Sequence, residues 1–256
     1  MSQYDNYCSF LKTNDFDHFK NNDTYFAILE HVSKEIGEQY LYLIDSEFEI
    51  SYENIVEFCM LNDHFGNPKK ETFFSQKNKK YIVCSPTTLR YIYHALTILT
   101  YYKETSLNEM VEIGCGYGGL FFAINYFSKL LEITVNKYHL VDLPDVCKLI
   151  NFYLTKNSEH IHIPFETYES TNYGKNINSD LLFLISNYCF TEIDDEYKMN
   201  YCEHLFPKIK HGFIIWQTCA YSLDYIHILK KDIKKIQTEK PQTCTDGEKL
   251  NSFVYF

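Results

Sequence analysis

The sequence predicts an α/β fold, a mostly parallel sheet preceded by a helical extension. Three observations predict it. From residue 108 onward, strand-like runs alternate with helix-like runs, which implies crossover connections and parallel strands. Four glycines fall within residues 114–119, directly after the strand-like run Val111-Glu112-Ile113. A strand, a glycine turn and a helix start place a nucleotide-like ligand at a helix N-terminus, where bare backbone can approach it closely. Finally, the chain ends on two strand-like runs joined without a helix, which form a hairpin and so an antiparallel edge.

The elements follow in order. Phe26, Leu29, Val32, Ile36, Tyr40 and Leu43 recur at helical spacing and predict one amphipathic helix. A second helix is expected over 52–61, ending at the polar loop Asn62-Asp63-His64-Phe65-Gly66-Asn67-Pro68. A third begins at Ser85-Pro86, with Ser as N-cap and Pro at the first helical position, and runs through Leu89, Ile92, Tyr93, Leu96 and Leu99. Residues 1–105 thus read as a helical N-terminal extension and 106–256 as the α/β domain. There, strands are expected at 109–113, 136–142, 160–165, 181–186, 212–216, 233–239 and 251–256. Helices are expected at 118–131, 144–155, 194–206 and 221–231, with a turn at Asp246-Gly247.

Composition limits the function. The 256 residues are 45% hydrophobic and 23% charged, ordinary globular material that can bury a sizeable core. A net charge of -10 argues against nonspecific nucleic-acid binding, which needs a basic footprint. No apolar run approaches the ~20 residues of a membrane span. The N-terminal MSQYDNYCSF lacks a basic segment followed by an apolar core, so no signal peptide is expected. The nine cysteines include no C-x-x-C pair, and their odd number favours free thiols in a reducing compartment. A cytoplasmic location is expected, a host cytoplasm if the source is viral. The abundance of Tyr, Phe, Asn, Lys and Ile is that of AT-rich coding, so aromatic content is discounted as a sign of ligand stacking.

The glycine turn fits two ligands. Gly114, Gly116 and Gly119 satisfy G-x-G-x-x-G, and Asp142 follows 23 residues after Gly119, so an NAD-dependent oxidoreductase is one reading. Glu112 points elsewhere. A carboxylate two residues before the first glycine attracts an ammonium group and repels a pyrophosphate. The long helical preface and the terminal hairpin also depart from a dinucleotide domain.

These features together resemble the class I S-adenosylmethionine-dependent methyltransferases over roughly residues 108–256. That resemblance implies a Rossmann-like sheet of seven strands with the last antiparallel, and S-adenosyl-L-methionine as cofactor. It implies that Glu112, Gly114, Gly116, Tyr117 and Gly118 form the methionine-side loop. Asp142 and Leu143 would meet the ribose, Thr167 and Tyr168 after the third strand the adenine, and Ser186 and Asn187 would close the pocket. A narrower resemblance covers almost the whole chain. NDHFGNP (62–68), CSPTTLRYIYHA (84–95), EIGCGYGGL (112–120), HLVDLPDV (139–146), SNYCFTEID (186–194) and HGFIIWQ (211–217) are similar to segments of the sugar O-methyltransferase family. It implies methylation of a hydroxyl on a sugar, nucleotide-sugar or glycan.

A sugar hydroxyl is a poor acid, so a general base is expected near it. The candidates are Glu192, His64 and Asp63. Glu192 doubles as a first-turn helix acid, and Asp63 and Asn62 double as turn caps. Arg90, Tyr188 and Trp216 are candidate substrate contacts; a surface ion pair for Arg90 and a core position for Trp216 are the structural alternatives. Asp194-Asp195-Glu196 lacks alternating ligand spacing, so no metal is expected. A catalytically inactive binding subunit of the same fold stays open, as does a homo-oligomer.

Overall fold

The computed structural model describes residues 3–13, 16–244, 247 and 249–256. In chain order its elements are α1 (Gln3–Leu11), α2 (Asp23–Leu29), α3 (Lys34–Glu47), α4 (Tyr52–Asn62), β1 (Glu71–Ser75), β2 (Lys80–Cys84), α5 (Pro86–Tyr102), β3 (Glu109–Ile113), α6 (Gly119–Leu130), β4 (Lys137–Asp142), α7 (Pro144–Lys156), β5 (Phe165–Glu169), β6 (Leu182–Asn187), α8 (Asp195–His204), β7 (Ile209–Trp216), β8 (Lys235–Thr238) and β9 (Ser252–Tyr255). They fall into two compact units. The first comprises residues to Thr100 with 116–133 and 148–162; the second comprises 101–115, 134–147 and 163–256.

The second unit holds the sheet, in the order β5-β4-β3-β6-β7-β9-β8. The pairs β5-β4, β4-β3, β3-β6 and β6-β7 are parallel, and β9 runs antiparallel to both β7 and β8. This is the seven-stranded, Rossmann-like sheet with an antiparallel last strand that the sequence predicts. The hairpin is not laid along the edge, however: β9 inserts between β7 and β8, so β8 is the outer strand. The inner strands β3, β4, β6 and β7 are buried along most of their length, which explains their nearly continuous apolar runs. Leu184, Ile214, Trp216, Val254 and Phe256 pack with Tyr201, Leu205 and Phe206 in one core. The third parallel strand is displaced from its expected place at 160–165. Tyr138 pairs with Phe165, and the Pro164 carbonyl accepts from the Tyr138 amide just before the ladder begins. Pro164 has no N–H to give a ladder, so pairing starts after it. The helix expected at 221–231 is a 3-10 segment, Leu223–Leu229. The turn expected at Asp246-Gly247 falls partly outside the described residues.

The first unit is helical with one exception that the sequence did not reveal. β1 and β2 form an antiparallel hairpin, Glu71 opposite Cys84 through Ser75 opposite Lys80. Its buried face is Phe73, Ser75, Ile82 and Cys84, while Phe74, Tyr81 and Val83 are exposed, so the strands carry no apolar–polar alternation. The single helix expected through Phe26–Leu43 is two. Ser33 takes extended backbone and its hydroxyl accepts from the Ile36 amide, starting α3 afresh. α5 begins at Pro86, as expected. It is buried on nearly every side: Leu89, Ile92, Ala95, Leu96 and Leu99 form an apolar face, and Thr88, Arg90 and His94 are buried as well.

Candidate cofactor and acceptor sites

The candidate site in the second unit follows from the strand order. The chain runs β3 to β4 to β5 on one side of the sheet and returns to β6 on the other. The carboxyl ends of β3 and β6 therefore bound a topological switch point, where open α/β sheets hold ligands. Ser186 fixes this opening: its hydroxyl donates to the Ile113 carbonyl at 3.0 Å and accepts from the Phe190 amide at 3.1 Å. Asn187, half-buried, ends β6 beside it.

Glu112 lies at the end of β3 and is 2% exposed. Among the described residues it accepts one hydrogen bond, from the Tyr138 hydroxyl at 2.8 Å. Burial pushes its carboxyl up to about 8, with the nearby Asp142 charge adding to the rise and the Tyr138 bond opposing it. Such a carboxyl binds a proton at neutral pH and would exchange it for a cation.

Asp142, at the end of β4, accepts from the Cys115 amide at 2.6 Å through Oδ2 and from the Leu143 amide at 2.7 Å through Oδ1. It is not an N-cap of α7, since the capping carbonyl there belongs to Leu143, which accepts from the Cys147 amide. Asp142 instead fixes the turn after β3 against the end of β4.

Gly114, Gly116 and Gly118 take φ of 79°, 58° and 88°, the left-handed region that disfavours any side chain. At Gly114 space matters too: a Cβ would lie 2.3 Å from the Cys189 Cβ and 2.4 Å from its sulfur. Cys189, absent from the sequence-based candidates, therefore covers this glycine. Nothing in the sequence marked it, because the contact joins positions 75 residues apart.

Several expectations are corrected. Tyr117 cannot offer its side chain to a ligand in this arrangement. It is 0% exposed, its ring 4.8 Å from Tyr153 and 5.2 Å from Phe19, with the Lys20 ammonium 4.4 Å above it. Thr167 and Tyr168 are within β5 rather than beyond it, opposite Leu140 and Val141, and Glu169 stands opposite Asp142 at the strand end. Tyr168 donates to Glu166 at 2.7 Å. Trp216 is fully buried in the second unit's core and donates to the Tyr221 carbonyl at 2.7 Å, so it is a core residue.

The catalytic candidates divide between the units. Asp63 is 4% exposed and occupied: it accepts from the Ser85 amide at 2.6 Å and the Thr88 hydroxyl at 2.5 Å, securing the start of α5. Its role there is structural. His64 is exposed and stacks edge-on against Phe65 at 4.5 Å. It lines a cleft of about 560 Å³ with Asp17, His18 and Lys70 among others. Arg90 is 8% exposed and donates to the Leu29 carbonyl at 2.9 Å, within the first unit. Glu192, in the second unit, follows β6 and its Oε1 accepts from the Gln217 amide at 2.6 Å. Partial desolvation pushes its carboxyl above the usual range, against the pull of the Gln217 bond. Tyr188 takes φ of 56° and donates to Glu239, a carboxylate also held by the Thr243 amide, the Thr243 hydroxyl and Asn251.

One buried acid in the first unit also escaped the sequence reading. Glu30 is 4% exposed, accepts from the Ser85 hydroxyl at 3.0 Å through Oε2, and keeps Oε1 without a partner among the described residues. Burial pushes it up to about 7.

Among the described residues no group of three or more His, Cys, Asp or Glu side chains is placed to hold a metal ion, and no helix is long and apolar enough to cross a membrane.

No family model matches the sequence, and no curated protein sequence matches it. Solved structures do resemble the chain. A SAM-dependent methyltransferase from Aquifex aeolicus is 18% identical at a TM-score of 0.45, covering 61% of this chain and 86% of that one. An S-adenosylmethionine-dependent methyltransferase from Clostridium acetobutylicum is 11% identical at 0.44, covering 65% and 88%. The CMeT domain of the citrinin polyketide synthase is 10% identical at 0.46, covering 67% of this chain, which spans only 53% of that domain.

Proposed function

We propose that this protein binds S-adenosyl-L-methionine at the turn after β3 and methylates a hydroxyl oxygen of a sugar or glycoconjugate. One observation carries the cofactor reading: Glu112, buried and pushed up to about 8, stands two residues before a left-handed glycine turn at the sheet's switch point. A buried carboxyl of this kind favours a cationic amino-acid end and opposes a pyrophosphate. When bound, the cofactor supplies a methyl group already activated on a sulfonium. Glu112 would bind the ammonium end, Gly114 would allow close backbone approach, and Asp142 would accept from ribose hydroxyls.

The acceptor hydroxyl must still lose a proton. Glu192 is the best-placed base among the three candidates, being exposed beyond the carboxyl end of β6, raised above the usual carboxylate range, and oriented by Gln217. General-base assistance of this kind contributes roughly 10²–10⁴-fold. The sugar class rests on the sequence resemblance alone.

Thermal shift with S-adenosylmethionine, S-adenosylhomocysteine and NAD in parallel tests the cofactor reading. Stabilisation by the first two is expected, and stabilisation by NAD alone would contradict it. Methyl transfer to a glycan and nucleotide-sugar panel then tests the acceptor. Cofactor binding without turnover on any member would favour a binding subunit of the same fold.

A further inference from the structure

We infer that the hydrogen bond from the Tyr188 phenol to Glu239 holds the turn after β6, making Tyr188 and Glu239 positioning residues for the turn after β3 and for Glu192. What this means for a ligand rests on the cofactor reading; the tether itself does not. The starting observation is backbone strain. Tyr188 takes φ of 56°, left-handed backbone that a bulky aromatic residue rarely adopts and that costs free energy. Such a conformation persists only where its surroundings over-determine it, and such positions cluster at functional sites.

The tether has a fixed anchor. Glu239 directly follows β8 and is 1% exposed. Its Oε1 accepts from the Tyr188 phenol. Its Oε2 accepts from the Thr243 amide at 2.9 Å, the Thr243 hydroxyl at 2.7 Å and the Asn251 side-chain amide at 3.0 Å. The Glu239 amide donates to the Asn251 carbonyl at 2.9 Å. A carboxylate held by this many donors keeps its place, and a phenol bound to it is held firmly.

The residues that flank Tyr188 are those the site depends on. Before it, Ser186 donates to the Ile113 carbonyl at the end of β3. After it, Cys189 lies so close to Gly114 that no Cβ fits there. The Cys189 carbonyl accepts from the Glu192 amide at 2.8 Å and the Ile193 amide at 3.3 Å, which fixes the backbone that carries Glu192. Rotating Tyr188 out of the left-handed region redirects the chain after it, so Cys189 leaves Gly114 and Glu192 moves with it. The Tyr188 phenol is engaged by Glu239, so Tyr188 acts on a ligand through these neighbours.

Two substitutions separate a tether from a packing or contact role. Tyr188→Phe keeps the ring and removes the tether, whereas Tyr188→Gly removes the whole side chain and the strain with it. Cys189 reports where the turn lies, because it is half-buried and burial pushes its thiol up. Folded full chains are labelled with iodoacetamide over time and mapped by mass spectrometry. Tyr188→Phe should raise the Cys189 rate about tenfold or more. Tyr188→Gly should recover most of that difference although it deletes more atoms, and buried Cys202 should be unchanged in both. Affinity for S-adenosylhomocysteine should follow the same order, weakest in Tyr188→Phe. Tyr188→Asn, which also tolerates left-handed backbone, repeats the comparison if the glycine chain does not fold. A Cys189 rate unchanged in Tyr188→Phe, a rate as high in Tyr188→Gly, or an equal rise at Cys202 would overturn the proposal. So would equal S-adenosylhomocysteine affinity in the natural chain and Tyr188→Phe. The expected Cys189 order with no S-adenosylhomocysteine binding by any chain would support the tether and contradict the cofactor reading.

Discussion

Glu112 in the second unit and Asp63 in the first are carboxylates of nearly equal burial, 2% and 4% exposed, held in different ways. Asp63 accepts from a backbone amide and a hydroxyl at the start of α5. Around it, Asn62 donates to the Thr88 hydroxyl at 2.7 Å and accepts from the Tyr153 hydroxyl at 2.8 Å, and the Lys20 ammonium donates to the Asn62 carbonyl at 2.5 Å. That network closes on itself and joins four segments of the first unit. Glu112 has one phenol donor and a strongly raised carboxyl. Buried acids with saturated acceptors hold a fold together. A buried acid short of donors or cations at a switch point is set for a ligand.

The comparison can be broken at several places, taken from the largest effect down. Asn62→Ala should cost about 4 kcal/mol, because it strands buried partners on several segments. Denaturant unfolding would register this, while affinity for S-adenosylhomocysteine in the remaining folded protein should stay within about twofold. A binding defect larger than the stability loss would show that the closed network is also a ligand site.

Glu112 should make stability pH-dependent. Its folded value, about 8, lies above its ordinary value of 4.5. Its stabilising contribution is therefore full below the unfolded value and is lost as pH rises through the folded one. Between pH 5 and 8 the loss should be about 3 kcal/mol, and Glu30, raised to about 7, adds a term of the same sign. Glu112→Gln should flatten most of that slope. An unchanged slope would mean that Glu112 is already ionised in the free protein.

Gly114→Ala should cost about 2 kcal/mol from its left-handed backbone and the contact with Cys189. Adding Cys189→Gly should recover the contact part only, leaving the backbone part. Full recovery would show that the left-handed conformation carries no cost. Smaller still for stability, Glu192→Gln should change unfolding by less than about 0.5 kcal/mol. It should lower methyl transfer by roughly 10²-fold or more and leave cofactor affinity nearly intact. Unchanged transfer would remove Glu192 as the base.

Much of the second unit was legible from the sequence. The start of the glycine turn and Asp142 at a strand end are local patterns, each visible in under ten residues, and the closing hairpin is two strand-like runs with no helix between them. The first unit was harder to read for physical reasons. The β1–β2 hairpin has no Gly or Pro at its turn: Lys79 itself takes φ of 56°, and Ser75 and Asp45 supply the turn's side-chain hydrogen bonds. Its exposed face bears Phe74, Tyr81 and Val83, which hides the period-two signal. Lys20 and Glu30 are charged residues that a pattern reading leaves in water. Their burial depends on Asn62 and Ser85, 42 and 55 residues away. Tyr117 illustrates the same limit within the turn itself: the motif placed its backbone, but the direction of its ring was set by Phe19, Asn62 and Tyr153.

Calorimetric titration of the full chain with S-adenosylhomocysteine at pH 7, repeated in buffers of different ionisation enthalpy, tests the central claim most directly. Glu112 should be mostly protonated in the free protein and ionised against the ligand's ammonium, so binding should release close to one proton per chain, and Glu112→Gln should abolish that release. Binding of NAD but not S-adenosylhomocysteine, or binding with no proton release in the natural chain, would contradict the account.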